Sequence, residues 1–128
     1  MLLLDTQIAL WWLRDDRQLK KSIIDQLEAS PCVISVVSAW EVSIKYRVGK
    51  LDMMPAEFVR GMKHTGAEIL PLTEQHAMTF GRMANEHQDP FDVMLLTVAE
   101  LESARFVTAD KKLAAYAERH TNAQVIRA

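Results

Sequence analysis

Residues 89–110, DPFDVMLLTVAELESARFVTAD, hold a helix and a strand in direct succession. Asp89 followed by Pro90 marks a helix start, with aspartate as the cap and proline at the first helical position. VMLLTVAEL carries that helix to about Ser103. Arg105 to Thr108, RFVT, then reads as a strand, and Asp110 follows it. An acid, Asp92, lies in the first turn of the helix, and a second, Asp110, lies just past the strand.

The same alternation extends in both directions. Residues 2–5, LLLD, read as a short buried strand ending on Asp5, with Thr6 as the N-cap of an apolar helix, IALWWL. A second helix is expected from about Gln18 to Ala29, with Leu19, Ile23, Ile24 and Leu27 on one side, and Pro31 stops it. Cys32 to Val37 is apolar and β-rich, as a strand buried on both faces should be. Ser38-Ala39-Trp40-Glu41 has the capping-box spacing, so a helix is expected to open at Ser38 and end near Gly49. Further helices are expected from Pro55 to about Thr65-Gly66, from Thr73 to about Glu86, and after Asp110 to about His120. Glu68 to Leu70 and Ala123 to Ile126 complete the strands. Strands alternating with helices predict an α/β/α sandwich around a mainly parallel five-stranded sheet.

The composition agrees. The chain has 128 residues, 49% hydrophobic and 25% charged, which suits one folded domain spanning 1–128. The lone cysteine, Cys32, sits in an apolar run, so it reads as a small core residue in a reducing compartment. No stretch approaches the roughly 20 apolar residues of a membrane span, and the opening segment lacks the basic start of a signal peptide. A cytoplasmic protein with no membrane partner is expected. The net charge of −2 argues against gripping nucleic acid by bulk electrostatics alone. It leaves open a nuclease whose acids are neutralised by divalent cations that then attract phosphate.

In an open parallel sheet, ligands bind beyond the carboxyl ends of the strands. Asp5 ends the first strand, Glu41 opens the helix after the second, and Asp110 follows the fourth. Asp92 joins them if its helix leads back into the fourth strand with its N-terminus at that edge. Carboxylates gathered there repel one another, and hard cations such as Mg²⁺ or Mn²⁺, which prefer oxygen ligands, relieve the repulsion. Phosphodiester hydrolysis is the chemistry such a site serves. Each acid also has a structural reading. Glu41 fits a capping box, Asp92 a favourable charge near a helix N-terminus, and Asp89 and Asp110 caps. Asp5, half buried at a strand end, needs a partner on any reading.

LLLDT, SAWEVSIKYRVGKL, DPFDVMLLTVAE and FVTADKKL, in that order, resemble the PIN-domain ribonucleases, and most closely the VapC-like toxins of type II toxin–antitoxin pairs. The resemblance runs from Leu2 to about Tyr116. It implies Mg²⁺- or Mn²⁺-dependent RNA cleavage by Asp5, Glu41, Asp92 and Asp110, which serve as metal ligands. It also implies supporting hydroxyls at Thr6 and Thr108, a cognate VapB-like antitoxin that blocks the site, and a homodimer. Two positions depart from the family pattern. Val93 stands where a basic residue often follows DPFD, and Leu113 stands where an aromatic is common.

Other residues have two readings. Lys45, four residues after Glu41, either approaches the substrate phosphate or pairs with Glu41 on a solvated face. Arg14, Arg17, Lys20, Lys21, Arg47 and Lys50 either rim an RNA path or are simply solvated. Trp11 and Trp12 point about 100° apart on one helix, so core packing suits one and a partner surface the other. His64, His76, His87 and His120 show no zinc spacing, and His87 is near enough to Asp89 to line the cleft. Three rival functions compete with this reading. A phosphoryl-accepting receiver would need an acidic pair after the first strand, where Asp5 stands beside Thr6. A binding module that has lost catalysis would not need all four acids. A nuclease of the same fold acting on structured DNA would ordinarily carry further DNA-binding elements.

Overall fold

The computed structural model describes residues 1–87 and 89–128. The elements run β1 (Leu2–Leu4), α1 (Thr6–Leu13), α2 (Lys21–Ala29), β2 (Cys32–Ser35), α3 (Val36–Arg47), α4 (Pro55–His64) and β3 (Glu68–Leu70). They continue with α5 (Glu74–Phe80), α6 (Pro90–Leu101), β4 (Arg105–Thr108), α7 (Lys111–His120) and β5 (Val125–Arg127). The five strands form one sheet in the order β3-β2-β1-β4-β5, and every pairing is parallel. The expected α/β/α architecture is present.

Alternation along the central strands assigns the two faces. Leu2 and Leu4 of β1, with Cys32 and Ile34 of β2, pack against Ile8 and Ala9 of α1, Ile23 and Leu27 of α2, and Phe58 and Met62 of α4. Leu3, paired with Val33 on one side and Phe106 on the other, faces the opposite way. That face is covered by Leu95, Leu96, Val98 and Ala99 of α6 and by Leu113, Tyr116 and Ala117 of α7. β1 is wholly buried, which is why its three leucines show no polar alternation. Helix α3 contributes Val42 to the first cluster and Val37 to the second. Cys32 is buried, as its apolar setting implied.

Several boundaries differ from those expected. β2 stops at Ser35, and α3 begins at Val36, because the Ser35 side chain accepts the Val37 N–H at 3.1 Å and caps the helix. The capping box expected at Ser38 is therefore not formed. Ser38 is inside the helix, and Glu41 lies a turn further along than the sequence suggested. Thr6 is the first residue of α1, with Asp5 at the N-cap position. Helix α2 begins at Lys21, three residues later than expected. Thr73 does cap α5, with His76 completing the box, but the helix ends at Phe80 and not near Glu86. The chain beyond it is drawn onto α7 instead. The Tyr116 hydroxyl donates to the Ala84 carbonyl at 2.6 Å, and Glu86 pairs with Arg119 and His120. Trp11 and Trp12 are both partly buried against the first core cluster. No helix among the described residues is long and apolar enough to cross a membrane.

Candidate active site

The parallel sheet sends the ends of β1, β2 and β4 to one edge, and α6 runs back toward β4 with its N-terminus at that same edge. The four acids meet there. Asp5, Glu41, Asp92 and Asp110 line one open cavity of about 380 Å³, together with Thr6, Lys45 and Asp89.

Asp5 is buried, at 7% exposed, and Glu41 at 5%. The Thr108 hydroxyl, at the end of β4, donates to Asp5 Oδ2 at 2.7 Å. That same oxygen of Thr108 accepts the Asp110 N–H at 3.0 Å. Burial pushes the Asp5 carboxyl up to about 7; the Thr108 bond opposes this, and the Asp92 and Glu41 carboxylates reinforce it. Glu41 is also buried. Its Oε1 accepts from the Thr6 hydroxyl at 2.8 Å, and its Oε2 takes the Lys45 ammonium at 2.8 Å. Thr6 Oγ1 also lies 2.8 Å from Ser38 Oγ. Burial works against the charge of Lys45, but the hydrogen bond to Glu41 and the nearby carboxylates outweigh it and raise its pKa.

Asp92 enters from the first turn of α6. The cap of that helix is Asp89, whose Oδ1 accepts the N–H groups of Phe91 and Asp92. Burial raises the Asp92 carboxyl, and the His87 hydrogen bond pulls against it. Asp110 caps α7, with Oδ1 accepting from the Lys112 and Leu113 N–H groups. Its capping role and its place on the cavity thus hold together.

Ser38 was missed in the sequence because it was read as a cap. Its spacing was a usable signal, since a hydroxyl three residues before Glu41 lies on the same helical face. His87 is within reach of the acids but enters differently from expectation. One ligand atom each from His87, Asp92 and Asp110 lie within 4.8 Å of one another. His87 nevertheless stands outside the lining of the acid cavity and faces a separate pocket with Glu86, Lys112, Tyr116 and Arg119. The imidazole lies 2.9 Å from Asp92 Oδ2 and lines the neighbouring pocket. Of the basic residues, Lys45 lines the cavity, and Lys21 instead pairs with Asp25 on the surface. Val93, at 4% exposed, is a core residue, so a phosphate contact from that position is absent. Leu113 is fully buried and fills the core as well as an aromatic would.

The four acids offer oxygen donors to the cavity, and burial and the neighbouring carboxylates push one of them, Asp5, up to about 7. Those residues fit a hard divalent cation, which would relieve the repulsion and restore the charge on Asp5.

Comparison with known proteins agrees with the fold. No curated protein sequence matches the chain. Among solved structures, DNA-bound VapBC from Salmonella typhimurium superposes with a TM-score of 0.72 at 18% identity, covering 98% of this chain and 96% of that one. VapBC2 from Rickettsia felis, bound to a DNA fragment from its promoter, gives 0.70 at 17%, covering 98% and 97%. A toxin–antitoxin complex from Klebsiella pneumoniae gives 0.63 at 20%, covering 90% and 91%. At these identities the likeness is one of fold. The sequence itself carries the match further: residues 2–119 fit the model of the PIN domain, a span that includes all four acids and both supporting threonines, and the chain belongs to the PIN-domain family.

Proposed function

We propose that this protein is a Mg²⁺- or Mn²⁺-dependent endoribonuclease, the toxin of a VapBC-like toxin–antitoxin pair, acting in the cytoplasm. The reading is carried by one observation: separate strand–helix junctions deliver Asp5, Glu41, Asp92 and Asp110 to a single cavity at the carboxyl edge of the sheet. PIN-family membership supports phosphodiester hydrolysis as the reaction class. The solved structures of similar fold are toxin–antitoxin complexes, which supports an antitoxin as partner here. The homodimer implied by resemblance is part of the same proposal, as is a single domain.

When bound, the cation supplies Lewis acidity toward a phosphodiester and lowers the pKa of water. The chain's own contribution is positioning and charge. Asp5, Asp92, Glu41 and Asp110 would hold the cation from four elements. Thr108 fixes the Asp5 carboxylate, and Thr6 fixes that of Glu41. The Lys45 ammonium, on the cavity wall, is the one positive side chain lining it among the described residues and would draw the phosphate toward the acids.

The test compares wild type with Asp92→Asn, both by induced expression and by cleavage of RNA in vitro with Mn²⁺ and with chelator. Growth arrest and metal-dependent RNA cleavage should appear with wild type and vanish with the variant. Equal arrest by both, or cleavage of DNA with RNA left intact, would overturn the reading.

A further inference from the structure

We infer that His87 is a positioning residue that fixes the Asp92 carboxylate, held in turn by a strap, residues 84–87, that is fastened to α7. The inference rests on the metal-dependent reading above.

His87 Nε2 lies 2.9 Å from Asp92 Oδ2, and both side chains are largely buried, at 12% and 16% exposed. A carboxylate that ligates a cation is ionised and can only accept, so in the metal-bound state the imidazole donates through Nε2–H. A charge-assisted hydrogen bond between two shielded groups restricts the carboxylate far more than one in open water. The ring lines the pocket beside the cavity that Asp92 lines. One oxygen of Asp92 is thus held while the residue faces the cavity.

The imidazole is itself supported. Its ring centroid is 6.0 Å from that of Tyr116, a residue of α7 that is 1% exposed. The Tyr116 hydroxyl donates to the Ala84 carbonyl, three residues before His87. Arg119 and His120, also on α7, hold Glu86, the residue just before it. Three residues of one helix therefore pin the segment that carries His87. Such an arrangement is more than is needed to connect two helices. It transmits the rigidity of the second core cluster to one acid of the site. Outer hydrogen-bond partners of metal-binding carboxylates are worth about 10- to 100-fold in metal affinity.

The test is Mn²⁺ titration by calorimetry on wild type, His87→Phe and His87→Gln, with thermal melts of all three. Phenylalanine keeps a ring against Tyr116 but has no donor; glutamine places an N–H near the position of Nε2. Affinity should fall by about 10-fold in His87→Phe and recover to within about threefold in His87→Gln, with melting temperatures close to wild type. Pulsed EPR of the Mn²⁺-loaded wild type should show no directly bonded imidazole nitrogen. Unchanged affinity in His87→Phe, or failure of glutamine to rescue, would overturn the positioning role. A bonded nitrogen that disappears in His87→Phe would overturn it too, by making His87 a ligand. Absence of Mn²⁺ binding by the wild type itself would instead sink the metal-dependent function, and this inference with it.

Discussion

The Thr108 hydroxyl donates a 2.7 Å hydrogen bond to Asp5 across 103 residues of sequence. It joins the ends of two neighbouring parallel strands, β1 and β4, at the point where both meet the cavity. Because the same oxygen accepts the Asp110 N–H, one hydroxyl couples the positions of two acids.

Thr108→Val tests that coupling. The change is nearly isosteric, and Thr108 is fully buried, so the loss is chiefly the hydroxyl. It strips Asp5 of its donor and leaves the Asp110 N–H without that acceptor. Unfolding free energy should drop by about 1–3 kcal/mol in urea titrations at pH 7. Mn²⁺ affinity should fall with it. Stability equal to wild type would mean that the hydroxyl can be replaced without cost.

The Asp5 carboxyl gives a pH dependence whose sign follows from linkage. Its ordinary value is 3.8, and in the folded chain it is pushed up to about 7. The folded state therefore binds the proton more tightly than the unfolded state. This contribution is complete below pH 3.8 and is lost as pH rises through about 7. Asp92, raised in the same direction, adds to the slope. In chelator, stability should fall between pH 4 and pH 8, by at most about 4 kcal/mol from Asp5. Asp5→Asn should flatten the profile and be the more stable protein at pH 8, and Mn²⁺ should restore wild type there. A metal-free profile that rises over this range would contradict the burial of Asp5.

Most of this layout could be read from the residues, and the exceptions share a cause. The buried runs LLL and CVIS and the Asp89-Pro90 start are local signals, decided by side-chain apolarity and backbone chemistry. The placement of four acids at one sheet edge followed from topology alone. The start of α3 was misread because Ser35 and Ser38 are both competent caps, and only packing decides between them. Ser38 is used instead beside Thr6 and Glu41, a contact that spans distant segments. The early end of α5 has the same origin. Nothing in residues 81–86 forbids a helix, but Tyr116, Arg119 and His120 bond that segment elsewhere.

Lys45→Met separates charge from folding. Lys45 is half exposed but Glu41 is buried, so losing the pair should cost about 1–3 kcal/mol, and activity is compared where melts show both proteins folded. RNA cleavage at saturating Mn²⁺ should nevertheless fall by about 10-fold or more, because a positive group facing the phosphate is gone. Assays should be read as KM and kcat separately. Full activity in Lys45→Met would leave this lysine as a partner of Glu41 and nothing more.

Tyr116→Phe probes the strap from its anchored end. The ring stays in the core and against His87, while the 2.6 Å bond to the Ala84 carbonyl is removed. Global stability should decrease by about 0.5–1.5 kcal/mol, the usual net worth of one hydrogen bond. The more telling effect is local. Hydrogen exchange at the amides of residues 84–87 should accelerate more than exchange in β1 or β4, because the segment loses a fastening while the sheet loses none. If the strap holds Asp92 through His87, Mn²⁺ affinity should weaken as well, by less than in His87→Phe, since Arg119 and His120 still grip Glu86. Uniform acceleration across the whole protein would instead mark Tyr116 as a general core residue, with no particular hold on the segment that carries His87.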